Sequence, residues 1–224
     1  MSARRVVRSA VVAAAALALS AYMFGGWAVI TVDDMPETVV SAQPTTLSFV
    51  VRQHGVTLLG NLSPSVTATD GKVSVSGTVT AGTTGHYTSS IVLPKPGDWS
   101  ITIYSGFVTS KVKLPPVRAL VPGSAPPSAR MLADRGQRLF IAKGCVTCHV
   151  HGAVEAEGYT SLGIGPELTP KRYEAAYLRR LLLDPSIAPR TPGQFQMPAL
   201  GLAPKELSAL VAFINADRSM AARR

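Results

Sequence analysis

The chain has 224 residues, 46% of them hydrophobic, with 19 glycines, 17 prolines and only two cysteines. That length admits two modest folded units plus a targeting segment, and the composition excludes wholesale disorder while predicting turns, short strands and linkers rather than long helices. The formal charge of +9 divides into three basic and no acidic residues over 1–32, six and five over 33–128, and thirteen and eight over 129–224. Without a basic stripe interleaved with aromatics, this excess excludes a nucleic-acid partner; its C-terminal share suits an acidic protein partner, an anionic lipid surface or plain solvated charge.

Arg4, Arg5 and Arg8 precede an uncharged run over 9–32 whose first half is almost purely alanine, valine and leucine. This is the n-region and h-region of an export signal, and Ala18 and Ser20 supply the small residues of a cleavage site before Ala21. An uncleaved anchor is the alternative, because the run is long enough to span a bilayer. Gly25 and Gly26 interrupt it, however, and WAVITV at 27–32 is rich in β-branched residues and reads as a first strand. Residues 1–26 are thus a signal peptide or a membrane anchor. The arginines before the run and Asp33 and Asp34 after it place the rest in the periplasm or on the extracytoplasmic face of the membrane.

From 27 to 114 short alternating runs (46–52, 72–80, 87–93, 99–104) are separated by turn residues such as Thr69-Asp70-Gly71, Ala81-Gly82 and 94–98. The spacing predicts an all-β, immunoglobulin-like sandwich of about seven strands. His86-Tyr87 through Pro94, Gly97 and Trp99 resembles the small periplasmic sandwich domains of the FixH and YtkA-like type. That resemblance implies an association with oxidases or copper handling, so His54 and His86 are candidate copper ligands. As two histidines with no cysteine or methionine at ligand spacing, they also read as ordinary loop or strand-end residues. Over 114–128 five prolines oppose regular structure, and 115–128 is assigned to a semi-rigid linker between two independently folded units.

Cys145-Val146-Thr147-Cys148-His149 is a C-x-x-C-H motif, the signature of covalent haem attachment through two thioethers with the histidine as an axial ligand. A thioredoxin-like pair would want a preceding strand and no histidine, and a zinc site would need two further ligands. Residues 133–143 have helix-forming composition with Gly144 as the stop, and Leu207, Leu210, Val211 and Ile214 recur at helical spacing after Pro204.

Gly136-Gln137-Arg138-Leu139-Phe140 before Lys143-Gly144-Cys145, and Met197-Pro198-Ala199-Leu200 before 207–213, resemble class I cytochrome c domains. The resemblance covers about 129–219, within a monohaem domain assigned to 129–224, and implies an all-α fold whose terminal helices cross beside the haem. Gly136, Phe140 and Phe213 are the matching residues at that crossing. The resemblance also implies that the carbonyl of Pro166, after Gly165, accepts the second ring proton of His149. The sixth ligand is expected at Met197, because His151 is too close to the attachment loop to reach the other face of the ring. Met131 and Met220 are weaker candidates, and a thioether paired with histidine raises the potential. A third helix is expected from Tyr173, Tyr177 and 178–183, ending at Asp184-Pro185.

The expected protein is multidomain, a sandwich followed by a cytochrome, and it carries single electrons on one haem c without being an enzyme. Its partners would be redox proteins, such as a membrane oxidase, a quinol-oxidising complex or a reaction centre, docking at a haem edge ringed by Lys143, Lys171 and Arg172. Copper handling or oxidase assembly through the sandwich is the alternative, and haem catalysis at an open iron position is a third reading.

Overall fold

The computed structural model describes residues 26–125, 127–128, 131–154, 158–169, 172–189 and 195–216. The expected export segment, Lys171 and Met220 lie outside them. None of the described helices is long and apolar enough to cross a membrane.

Among the described residues the first elements are ten strands: β1 (Ala28–Val32), β2 (Thr38–Val40), β3 (Pro44–Gln53), β4 (Thr57–Leu58), β5 (Ser65–Thr69), β6 (Ser74–Ala81), β7 (His86–Val92), β8 (Gly97–Tyr104), β9 (Lys111–Lys113) and β10 (Val117–Leu120). Their hydrogen-bonded order is β1-β3-β7-β6-β5-β8-β10-β2. The path folds into two layers at β6, whose first half (Ser74 to Gly77) pairs with β5 and whose second half (Thr78 to Ala81) pairs with β7. A strand that changes sheets in this way makes the corner of a sandwich. Leu47, Phe49, Val51, Tyr87 and Ile91 from one layer meet Val66, Trp99, Ile101, Ile103 and Val117 from the other in one apolar core. The polar ends of the buried rings are satisfied: the Trp99 indole donates to Lys95 O (3.1 Å), and the Tyr87 hydroxyl donates to Leu59 O (2.8 Å).

The main strands run close to the expected segments, but the sandwich does not stop at 114. Val117–Leu120 lies between β8 and β2, antiparallel to one and parallel to the other, with Val117 and Ala119 in the core. The linker expected at 115–128 is corrected to that extent. Pro115, Pro116 and Pro122 lie outside the four-residue strand, so no proline has to donate to its ladder.

Three α-helices follow among the described residues: α1 (Leu132–Ala142), α2 (Ala175–Leu183) and α3 (Pro204–Ile214). Their apolar faces form a second core with Leu139, Phe140, Leu178, Leu182, Leu207, Leu210 and Phe213. Glu174 caps α2, its carboxylate accepting from the N–H groups of Ala176 (2.8 Å) and Tyr177 (2.6 Å). Glu206 accepts from Ala203 N (3.0 Å) at the start of α3, the one half of a capping box that an alanine N-cap permits. Asn215 closes the helical unit by bonding the backbone N and O of Tyr173, each at 2.9 Å.

The two units are packed together rather than tethered. Ala142, the last residue of α1, is fully buried within the sandwich cluster, and Ile141 and Tyr159 touch both cores. Lys143 is 3% exposed; its ammonium reaches Glu206 Oε1 (2.8 Å) and the carbonyl of Asp33 (2.6 Å) just beyond β1. Lys143 therefore does not belong to a ring of surface cations, which corrects the docking role expected of it.

Candidate haem site

The helix α1 is capped by Lys143, and Gly144 turns the chain with φ +79°. A side chain there would strike β1, since a Cβ would lie 2.5 Å from Val29 Cγ1 and 2.6 Å from Ile30 O. Cys145–Thr147 then form one 3-10 turn, and Cys148 N and His149 N both bond back to Cys145 O (3.1 and 2.9 Å). This tight turn puts two thiols and an imidazole on a single loop. Leu162 N bonds Thr147 O (2.9 Å) and Gly165 N bonds Cys148 O (2.7 Å), so the downstream chain is laced back onto the loop.

His149 Nδ1 lies 3.0 Å from Pro166 O. A carbonyl can only accept, so Nδ1 carries the proton and Nε2 is left as the ligating nitrogen. Gly165 makes the approach possible, for a Cβ there would stand 2.6 Å from both Nδ1 and Cε1 of His149. Burial lowers the His149 pKa, with the Pro166 bond acting in the opposite direction. The neutral, ligating form is thereby favoured.

Cys145 and Cys148 form no disulfide with each other. Burial pushes Cys145 up to about 12 and Cys148 up to about 11. A dithiol redox pair works through a thiolate of lowered pKa, so this environment speaks against one. The donor set fits a covalent haem c instead: two thiols three positions apart, followed at once by an imidazole whose far nitrogen is already committed. Val150, Leu162 and Ile164, all more than a third exposed, give the loop an apolar surface suited to a porphyrin.

Met197 is half-buried and packs against the helical core, as Cys145 does. Met131 is 57% exposed at the start of α1. Phe140, 1% exposed, stands at the crossing of α1 and α3 with its ring 5.5 Å from Phe213 and 5.9 Å from His151. His151 is buried in this aromatic group, 4.3 Å from Phe213, and its Nδ1 accepts from Ala153 N (3.2 Å). At Gly136 the two helices touch: a Cβ would collide with Ala209 O and lie 2.5 Å from Phe213 Cβ. Gly136→Ala is expected to lower stability by about 2 kcal/mol, the clash with backbone outweighing the gain in helix propensity of about 1 kcal/mol. Denaturant titration of the holoprotein checks this; an unchanged midpoint would mean that the helices have room.

The His54 ring packs at a tilt against Trp27 (5.3 Å) and Phe195 (5.5 Å), and His86 Nδ1 lies 3.0 Å from Thr84 O and 3.2 Å from Thr83 Oγ1. Among the described residues no group of three or more His, Cys, Asp or Glu side chains could hold a metal ion. Sequence reasoning missed two groupings: the Lys143–Glu206 pair and the Trp27, His54 and Phe195 cluster. Glu206 at the third position of α3 is a readable capping signal, but its partner Lys143 lies 63 residues earlier, just past α1, and no local pattern announces it.

The cytochrome c family model matches residues 133–216. No curated protein matches the chain. Among solved structures it is similar to the Lin-41 filamin domain, at 14% identity over 43% of this chain and 93% of that one, with a TM-score of 0.33. It is also similar to domains 4 and 5 of the S-layer protein SbsC, at 22% identity over 41% of this chain and 50% of that one, with a TM-score of 0.30.

Proposed function

We propose, on the premise that residues 133–216 form a cytochrome c domain, that this protein is an extracytoplasmic one-electron carrier with a single haem c. The observation that carries the reading is the turn holding Cys145, Cys148 and His149 with His149 Nδ1 tied to Pro166 O. Cys145 and Cys148 would take the two thioether bonds, and Nε2 of His149 and the sulfur of Met197 the two axial positions. When bound, haem c supplies an iron that gains and loses one electron.

The chain's own residues set the conditions for that exchange. Pro166 fixes the orientation of the imidazole and strengthens it as a donor. The apolar groups around the loop exclude water, and a thioether as sixth ligand favours the ferrous form. If His149 and Met197 both hold the group, no position would be left for a substrate, and the protein would carry electrons rather than catalyse a reaction. Arg172 is exposed near α2 and, with Lys171, is proposed to steer redox protein partners to the haem edge. An extracytoplasmic location rests on the basic and apolar N-terminal segment, and it suits a maturation that joins thiols to haem after export.

Met197→Ala tests the assignment. The variant should keep its covalent haem, lose the near-infrared band of methionine on ferric haem, bind carbon monoxide when reduced, and fall in potential. A variant with the parent spectrum and potential would move the sixth ligand elsewhere. A parent protein that already binds carbon monoxide readily would favour the catalytic or sensing reading.

A further inference from the structure

The strand β1 is buried at all five positions. A strand at the edge of a sandwich should alternate, and half of β1 does the expected thing: Ala28, Ile30 and Val32 enter the sandwich core. Val29 and Thr31 point the other way and are covered by the cytochrome domain. Val29 lies against Gly144, and the Thr31 hydroxyl donates to Lys143 O (3.4 Å). The far end of the same strand meets the other haem-bearing segment. Trp27, just before β1, packs edge-on against Phe195 at 5.3 Å, and His54 at the end of β3 completes the cluster. Gly55 faces Pro198, whose Cδ would be 3.6 Å from a Cβ there. Residues of the sandwich thus flank the Met197 loop, touching Phe195 two residues before the methionine and lying near Pro198 one residue after it.

Phe195 is 53% exposed, so it adds little to either core, and its contacts are with Trp27 and His54. His54 adopts a left-handed backbone conformation (φ +52°), uncommon for a residue with a side chain. Such strain persists where the surroundings over-determine it, and here it accompanies a ring packed at a tilt against both Trp27 and Phe195.

We propose that Phe195 is a positioning residue, seated on Trp27 and His54, through which the β-sandwich holds the Met197 loop and sets the strength of the sixth ligand bond. The proposal rests on the haem reading above. It gives the sandwich a function within the electron carrier: the cytochrome domain supplies both axial ligands, and β1 with its flanks braces the two segments that bear them.

The test uses the full-length holoprotein and imidazole as a competing ligand. Phe195→Ala should let imidazole displace Met197 at concentrations about ten- to a hundredfold lower, the range expected when a residue supporting a ligand is lost. The potential should fall, while haem attachment and thermal unfolding of the sandwich stay at parent values. Trp27→Ala should reproduce the effect, Phe195→Tyr should restore the parent behaviour, and the double alanine variant should be no worse than either single one, because both act through the same contact. Parent-like imidazole binding in Phe195→Ala, or additive losses in the double variant, would overturn the proposal while leaving the haem reading intact. A parent protein insensitive to Met197→Ala would remove the haem-ligand assignment, and this inference with it.

Discussion

A Cys145→Ser, Cys148→Ser double variant, exported beside a competent maturation system, is expected to contain no covalently bound haem and to lose most of its folded helical signal. Each thioether needs its own thiol, and a hydroxyl cannot substitute as the nucleophile. The loop itself is otherwise favourable, since its turn is held by backbone bonds that serine would keep. The loss would therefore be chemical in origin. The apolar groups that the loop exposes, Val150, Leu162 and Ile164, would remain in water, which penalises a small helical unit. The sandwich, with its own core, should still melt cooperatively. Haem-stained electrophoresis under denaturing conditions and circular dichroism read the two halves of the result. A stained double variant would exclude thioether attachment at these positions.

The second large effect is expected at Glu206. Its carboxylate faces the ammonium of Lys143, which is almost wholly buried where α1, α3 and the end of β1 converge. Glu206→Ala leaves that ammonium buried with only the Asp33 carbonyl, and also removes the acceptor for Ala203 N. Stability should fall by about 3–5 kcal/mol, the penalty for an uncompensated buried charge. A Lys143→Met, Glu206→Leu double variant should recover much of the loss, because apolar replacement of a buried pair is often close to neutral. Denaturant midpoints measure both. A loss below about 1 kcal/mol in Glu206→Ala would mean that water reaches the pair and that it behaves as a surface contact.

The parts legible in the sequence were those written locally. Alternation and turn residues mark the strands at 46–52, 72–80, 87–93 and 99–104. Composition with Gly144 as a stop gave α1, and the cysteine spacing with its following histidine gave the loop. Short elements were harder. SVTAT of β5 is too polar to stand out, and VRAL of β10 is hidden among prolines, although non-local pairing with β8 and β2 is enough to order it. The burial of Lys143 is not legible in the sequence, because only the folded chain shows that three elements close over it. The run AVITV at 28–32, apolar on both faces except for Thr31, carries a hint of a second covered face. A strand that does not alternate has something on its second face, and here that is the domain bearing the haem motif.

Attachment of the haem to the polypeptide is the claim on which all else depends, and the intact mass of the exported protein under denaturing conditions tests it most directly. The account predicts a single species heavier than the polypeptide by one haem, with neither thiol open to alkylation. A chain at the bare polypeptide mass with two alkylatable thiols would contradict it.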